Sequence, residues 1–315
     1  MVGAAGLRAL LLLATVLDVP ALGPASRRAT GTPRARSIVV SGVPVEVLRP
    51  AGDAPRPAFL FLNGAHPERR REPVVRRVVD GLARAGFVVV VPDPPGLADG
   101  EISPRTLDGA IAAGRAAAAL PEVRGGRVAI LGASTGGSLA LLAAADPELR
   151  DRVSVVVSLT PFADLERIVC LATTGRYDGV QHPVADLLRA AVARSLGAAT
   201  GPDGAEAVAR LLANEDPERF AELLEAVAPG VRAAIRRLSP VACAASVRAP
   251  VELLVPPMDA YFPRAEAMAL AAALPSARLT VTPTLDHTRP SATLRTAGAA
   301  VAFGRVVTRA LAAAA

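Results

Sequence analysis

Short β-branched runs alternate with longer Ala/Leu/Arg stretches of helical period along this chain, and that alternation constrains its fold more than any other feature. Strands separated by helices cannot close as hairpins. Each helix instead carries the chain back to start the next strand parallel to the last, which predicts an α/β protein whose sheet is mostly parallel, with helices on both faces. Eight strands are expected, at 37–40, 43–48, 58–62, 87–91, 127–131, 154–159, 251–255 and 278–282. The first two flank Ser41-Gly42 and read as an opening hairpin. Helices are expected at 73–84, 106–120, 136–145, 263–273 and 291–313.

One long segment, 161–247, breaks the alternation after the sixth strand. It holds helical runs at 184–196 and 205–212, and Asp216-Pro217-Glu218 reads as a further helix start, with an Asp cap and Pro in the first turn. The segment is therefore expected to be a helical cap, inserted into a core made of 37–160 and 248–315.

With 51% hydrophobic and 20% charged residues, a chain of 315 residues can build a sizeable core. All 35 basic residues are arginine, and the net charge of +6 is spread along the chain. No Trp and only 3% aromatic residues leave nothing for bases to stack on, which argues against a nucleic-acid partner. At the N-terminus, Arg8 precedes an apolar run over 9–17, followed by Asp18, Pro20 and small residues. This reads as a signal peptide within 1–25, leading into a Pro/Arg/Thr-rich linker over 26–36. A secreted or cell-envelope protein is expected, with a cytoplasmic chain bearing a loose arm as the alternative. The apolar run falls well short of the ~20 residues a bilayer span needs. Cys170 and Cys243 are the only cysteines; two buried free thiols and, in an exported chain, a disulfide fit the sequence equally well.

Gly132-Ala133-Ser134-Thr135-Gly136 lies where the apolar strand at 127–131 meets an apolar helix. A serine on so sharp a turn crowds its neighbours, so the positions two before and two after it must lack side chains. Its hydroxyl then projects above the sheet, toward the N–H groups that open the helix. Ser134 is thus a candidate nucleophile. A nucleophilic serine needs a base, and the chain has three histidines, His66, His182 and His287. His287 follows the last strand and would emerge at the same carboxyl edge as Ser134; His182 belongs to the cap, and His66 follows the third strand. The base in turn needs a carboxylate. Asp259, after the seventh strand, is the first choice. Asp164, backed by Glu166, lies just after the sixth strand and is the rival, while Asp286 is too close in sequence to reach around to its neighbour's ring.

The chain order Ser134, Asp259, His287, the glycine-flanked elbow after the fifth strand and the helical insert after the sixth together resemble the α/β-hydrolase superfamily, from about residue 37 onward. The resemblance implies a serine hydrolase acting on a carboxylic ester or related small-molecule acyl substrate through an acyl-enzyme on Ser134. A peptidase, amidase or acyltransferase with the same triad, and a non-catalytic binding module on the same fold, are the alternatives. It also implies an oxyanion hole made by the N–H groups of Thr135 and Ala65, the latter within Leu62-Asn63-Gly64-Ala65-His66-Pro67, where Asn63 replaces the commoner histidine. His66 is a possible substrate-lining residue. No metal is expected, because the histidines lack paired spacings, and no cofactor either: Pro92-Asp93-Pro94-Pro95-Gly96 is too proline-rich to cradle a phosphate. Oligomeric state leaves no mark in the sequence.

Overall fold

A computed structural model describes residues 3–16, 28–201, 204–290 and 297–315. Eight strands form one sheet: β1 (Arg34–Val40), β2 (Val43–Arg49), β3 (Arg56–Leu62), β4 (Val88–Pro92), β5 (Val123–Ala133), β6 (Val153–Leu159), β7 (Val251–Val255) and β8 (Ala277–Val281). Their spatial order is β1-β2-β4-β3-β5-β6-β7-β8. β2 runs antiparallel to both β1 and β4, and every other neighbouring pair is parallel. The inner strands are apolar without alternation because both their faces are covered; all five residues of β4 are buried.

The described helices are α1 (Ala4–Val16), α2 (Pro73–Arg84), α3 (Pro104–Ala119), α4 (Thr135–Ala145), α5 (Leu165–Thr174), α6 (Asp186–Ala199), α7 (Ala205–Leu212), α8 (Phe220–Ala226), α9 (Pro229–Arg237), α10 (Arg264–Ala273) and α11 (Ala297–Ala314). On one face of the sheet, Leu12, Val79, Leu82 and Leu311 of α1, α2 and α11 pack with Phe59, Phe61 and Phe87. On the other, Ala110, Leu139 and Leu270 of α3, α4 and α10 pack with Leu60, Ile130 and Val156. The sheet is thus the middle layer of a three-layer stack, with Ser134 at the end of its central strand β5.

Several boundaries moved for local reasons. α3 starts at Pro104 rather than 106, because Ser103 caps it: its hydroxyl accepts from Thr106 N, whose own hydroxyl accepts from Ser103 N. Asp216 does not cap a helix directly. It accepts from Glu218 N in a turn that delivers the chain to α8 at Phe220. β1 begins at Arg34, three residues ahead of the expected 37, and takes in the end of the expected linker, since Arg34–Arg36 pair with Val47, Leu48 and Arg49. The apolar run read as an export leader forms α1, whose Ala9, Leu12 and Thr15 are buried against the core while Arg8 lies over the Phe87 ring. The rest of that stretch, 17–27, and the first residues of the expected last helix, 291–296, lie outside the described residues. Among the described residues no helix is long and apolar enough to cross a membrane.

Between β6 and β7 the chain builds α5 to α9 and one element with no counterpart in the sequence reading, a two-residue hairpin in which Arg176 and Tyr177 pair with Gln181 and Val180. Its turn, Asp178-Gly179, has both residues at positive φ, the pairing an Asp-Gly turn supplies. This helical insert is fastened at its root. Glu266 of α10, fully buried, accepts from Ala163 N at 2.6 Å, Asp164 N at 2.9 Å and the Tyr177 hydroxyl. Burial raises the Glu266 pKa in spite of these donors. Cys170 and Cys243 are both free thiols, and burial pushes the pKa of each up.

Candidate active site

Parallel strands all release their following loops at one edge of a sheet, and the site is built from four such loops. Ser134 stands between β5 and α4 with φ 55° and ψ −126°, a strained conformation for a residue with a side chain. The flanking glycines make it possible. A Cβ on Gly132 would lie 2.1 Å from Gly136 O, and one on Gly136 would lie 2.1 Å from Leu62 O and 2.3 Å from Asn63 O. Ser134 N donates to Leu159 O at 2.8 Å, which moors the elbow to the end of β6.

The structure brings the three residues together. Ser134 Oγ lies 2.9 Å from His287 Nε2, and His287 Nδ1 lies 2.7 Å from Asp259 Oδ2. The other Asp259 oxygen accepts from Tyr261 N at 2.8 Å and Phe262 N at 3.0 Å. Its side chain is only 3% exposed, so every acceptor position has to be matched by a donor. Burial alone would raise the Asp259 pKa. The His287 ring N–H and the two backbone N–H groups outweigh it and hold the carboxyl below its ordinary value. The Tyr261 ring packs on the imidazole at 4.6 Å and Phe262 at 6.2 Å, which fixes the ring plane. His287 itself has φ 50°, in a short hairpin where Leu285 and Asp286 pair with Pro290 and Arg289.

The rival carboxylates are engaged elsewhere. Asp164 caps α5, accepting from Glu166 N at 2.9 Å and from the Ser239 hydroxyl. Burial and the nearby Asp164 charge raise the Glu166 pKa, and among the described residues no histidine bonds it. Asp286 is exposed in its hairpin. His182 pairs with Pro183 O in the insert, away from the serine.

Asn63 holds the loop after β3 in place. Its side chain accepts from Gly64 N at 2.9 Å and donates to Arg69 O at 3.1 Å, stapling the loop to the turn that leads into α2. Ala65 N–H, beside it, donates to no backbone acceptor among the described residues. Thr135 is the first residue of α4, where N–H groups have no partner within the helix. Ala65, Thr135 and His66 all line the same cavity as Ser134 and His287. His66 also accepts from Glu68 N at 3.3 Å. The backing by Tyr261 and Phe262 and the staple by Asn63 escaped the sequence reading; Asp259-Ala260-Tyr261-Phe262 carried the one available signal, an Asp two and three residues ahead of N–H groups it can bind.

The cavity measures about 430 Å³ and is chiefly apolar. Phe61, Val78 and Leu131 wall one flank, while Phe162, Leu188 and Val192 wall the other. The second flank comes from the end of β6 and from α6, so the insert forms part of the site. Among the described residues no group of three or more His, Cys, Asp or Glu side chains is arranged to hold a metal.

Residues 61–221, half of the chain, match the family described as alpha/beta hydrolase fold, and the chain belongs to that family. Solved structures share the fold at low identity. The 2,6-dihydroxy-pseudo-oxynicotine hydrolase is 18% identical with a TM-score of 0.58, over 89% of this chain and 68% of that one. Dipeptidyl peptidase 4 of Porphyromonas gingivalis is 15% identical with a TM-score of 0.58, over 94% of this chain but 37% of that one. An esterase of Pyrococcus furiosus is 12% identical with a TM-score of 0.55, over 90% of this chain and 91% of that one. No curated protein matches the sequence.

Proposed function

We propose that the protein is a serine hydrolase that cleaves a carboxylic ester or a related acyl bond. The observation that carries this reading is the unbroken hydrogen-bonded line from Ser134 Oγ through His287 to Asp259. With its Nδ1 proton held by Asp259, the imidazole presents Nε2 as a base to the serine hydroxyl. Ser134 Oγ attacks the substrate carbonyl, its proton passes to His287, and Asp259 stabilises the imidazolium that forms. The developing oxyanion meets the unengaged N–H groups of Ala65 and Thr135, and each such donor lowers the barrier by ~3 kcal/mol. His287 then protonates the leaving alcohol, which departs and leaves an acyl-enzyme on Ser134. Water, deprotonated by the same ring, releases the acid and restores the serine. The apolar walls suit an aliphatic or aromatic group on the substrate.

A fluorophosphonate probe tests the reading. It should label the wild-type protein stoichiometrically and fail to label Ser134→Ala. A folded wild type that resists the probe and turns over no p-nitrophenyl ester would defeat the proposal.

A further inference from the structure

Glu72 is a charged side chain inside an otherwise apolar part of the cavity. It is 8% exposed and lines the same space as Ser134 and His287. As the residue before α2 it accepts from Val75 N through Oε2 at 2.7 Å, whereas among the described residues no donor meets Oε1. Among the described residues no arginine or histidine nitrogen forms an ion pair with it. Its neighbours in sequence are turned away: Arg70 pairs with Asp93, and Arg69 and Arg71 are exposed. The helix-capping duty does not explain a glutamate, because Ser, Thr, Asp and Asn perform it better and without burying a long carboxylate. The side chain as a whole is buried, yet Oε1 is not among the sealed-off unpartnered atoms: it keeps accessible surface in the cavity, where a bound ligand can supply the donor.

We infer that Glu72 is a binding residue for a protonated amine, so that the substrate is an ester or amide bearing an ammonium group; the inference rests on the serine-hydrolase reading above. An ammonium offers three N–H donors and a positive charge, which is what Oε1 lacks. The N-terminal end of α2 contributes about half a positive charge against the full negative charge of the carboxylate, so the balance at this wall favours a cation. Among the described residues Arg289 is the one guanidinium lining the cavity, and it is exposed, in the hairpin that also holds Asp286. The apolar wall of Phe61, Val75 and Val78 beside Glu72 fits a carbon chain of a few atoms attached to that amine.

The probes are isopentylammonium and its neutral counterpart, isopentyl alcohol, used as competitive inhibitors of p-nitrophenyl butyrate hydrolysis. The ammonium should inhibit about 10- to 100-fold more strongly than the alcohol, and Glu72→Gln should abolish that preference. Glu72→Ser keeps a good helix cap without the charge and should do the same, which guards against a folding defect in either variant. Glu68→Gln, an exposed carboxylate on the same loop, should leave the preference intact. Equal inhibition by the two probes in an active enzyme overturns the subsite while leaving the hydrolase reading standing. Should the wild type prove inactive toward every ester, calorimetry on Ser134→Ala still decides the subsite: Glu72-dependent ammonium binding supports it, and its absence refutes it.

Discussion

His287 Nε2 stands 2.9 Å from Ser134 Oγ, although 153 residues separate the two in sequence. The sheet order explains the meeting. β5, β6, β7 and β8 are consecutive parallel neighbours, so the loops after β5, β7 and β8 leave from one edge and converge there, and the whole insert after β6 is bypassed in space. Proximity comes from the strand order, and the choice of side chain comes from the local turns.

Asp259→Asn should lower kcat for a p-nitrophenyl ester by ~10⁴, because an amide holds the imidazole in the wrong tautomer. Asp164→Asn should be nearly silent in the same assay, since among the described residues the Asp164 carboxylate bonds only Glu166 N and the Ser239 hydroxyl, around the start of α5. A large loss at Asp164 with little change at Asp259 would reassign the acid.

The hydrogen bonds to Asp259 also make stability depend on pH. Its folded pKa lies below the ordinary 3.8, so the carboxylate binds its proton more weakly in the native state than in the unfolded chain. The resulting stabilisation is present above about pH 3.8 and is lost as the pH falls through the folded value. Urea unfolding between pH 7 and pH 3 should therefore show the gap between wild type and Asp259→Asn closing at the acid end. A gap that widens on acidification would contradict the sign.

The meeting of Ser134, His287 and Asp259 at one sheet edge was legible in the sequence because each depends on position relative to a strand end, and strands declare themselves through β-branched runs such as 88–91 and 251–255. What the sequence hid was contact made across the fold. The Glu266 anchor joins residues 102 and 103 positions apart through a carboxylate in an unremarkable Ala-rich helix. The Asp178-Gly179 turn was masked by its short strands, too brief for a period-2 pattern to register. Glu72, after three arginines, carries no pattern that marks it as buried, and only the placement of α2 against the sheet buries it.

The glycines of the chain should separate sharply on substitution. Gly136→Ala places a Cβ 2.1 Å from Leu62 O and 2.3 Å from Asn63 O, both backbone atoms that cannot swing aside. It should cost about 3 kcal/mol or more in chemical unfolding and displace the loop that carries Ala65. Gly197, exposed in α6 with nothing within 4 Å of a built Cβ, should behave oppositely. There, Gly197→Ala should add about 0.5–1 kcal/mol through helix propensity.

Glu252 anchors the C-terminal helix that follows the His287 hairpin. It is buried within β7, and Arg309 of α11 grips both its oxygens, Nε to Oε1 and Nη2 to Oε2, each at 2.7 Å. Arg309 is 38% exposed, so solvent moderates the pair. Replacing it still leaves a buried carboxylate with only Arg278, 3.9 Å away, nearby. Arg309→Met should therefore destabilise the protein by about 2 kcal/mol, less than a fully buried pair would lose. Glu252→Gln in the same chain should recover part of that loss by removing the orphaned charge, and the double-mutant cycle should give a coupling of about 1 kcal/mol. Additive losses would mean that α11 is held by its apolar face alone, through Val306, Ala310 and Leu311.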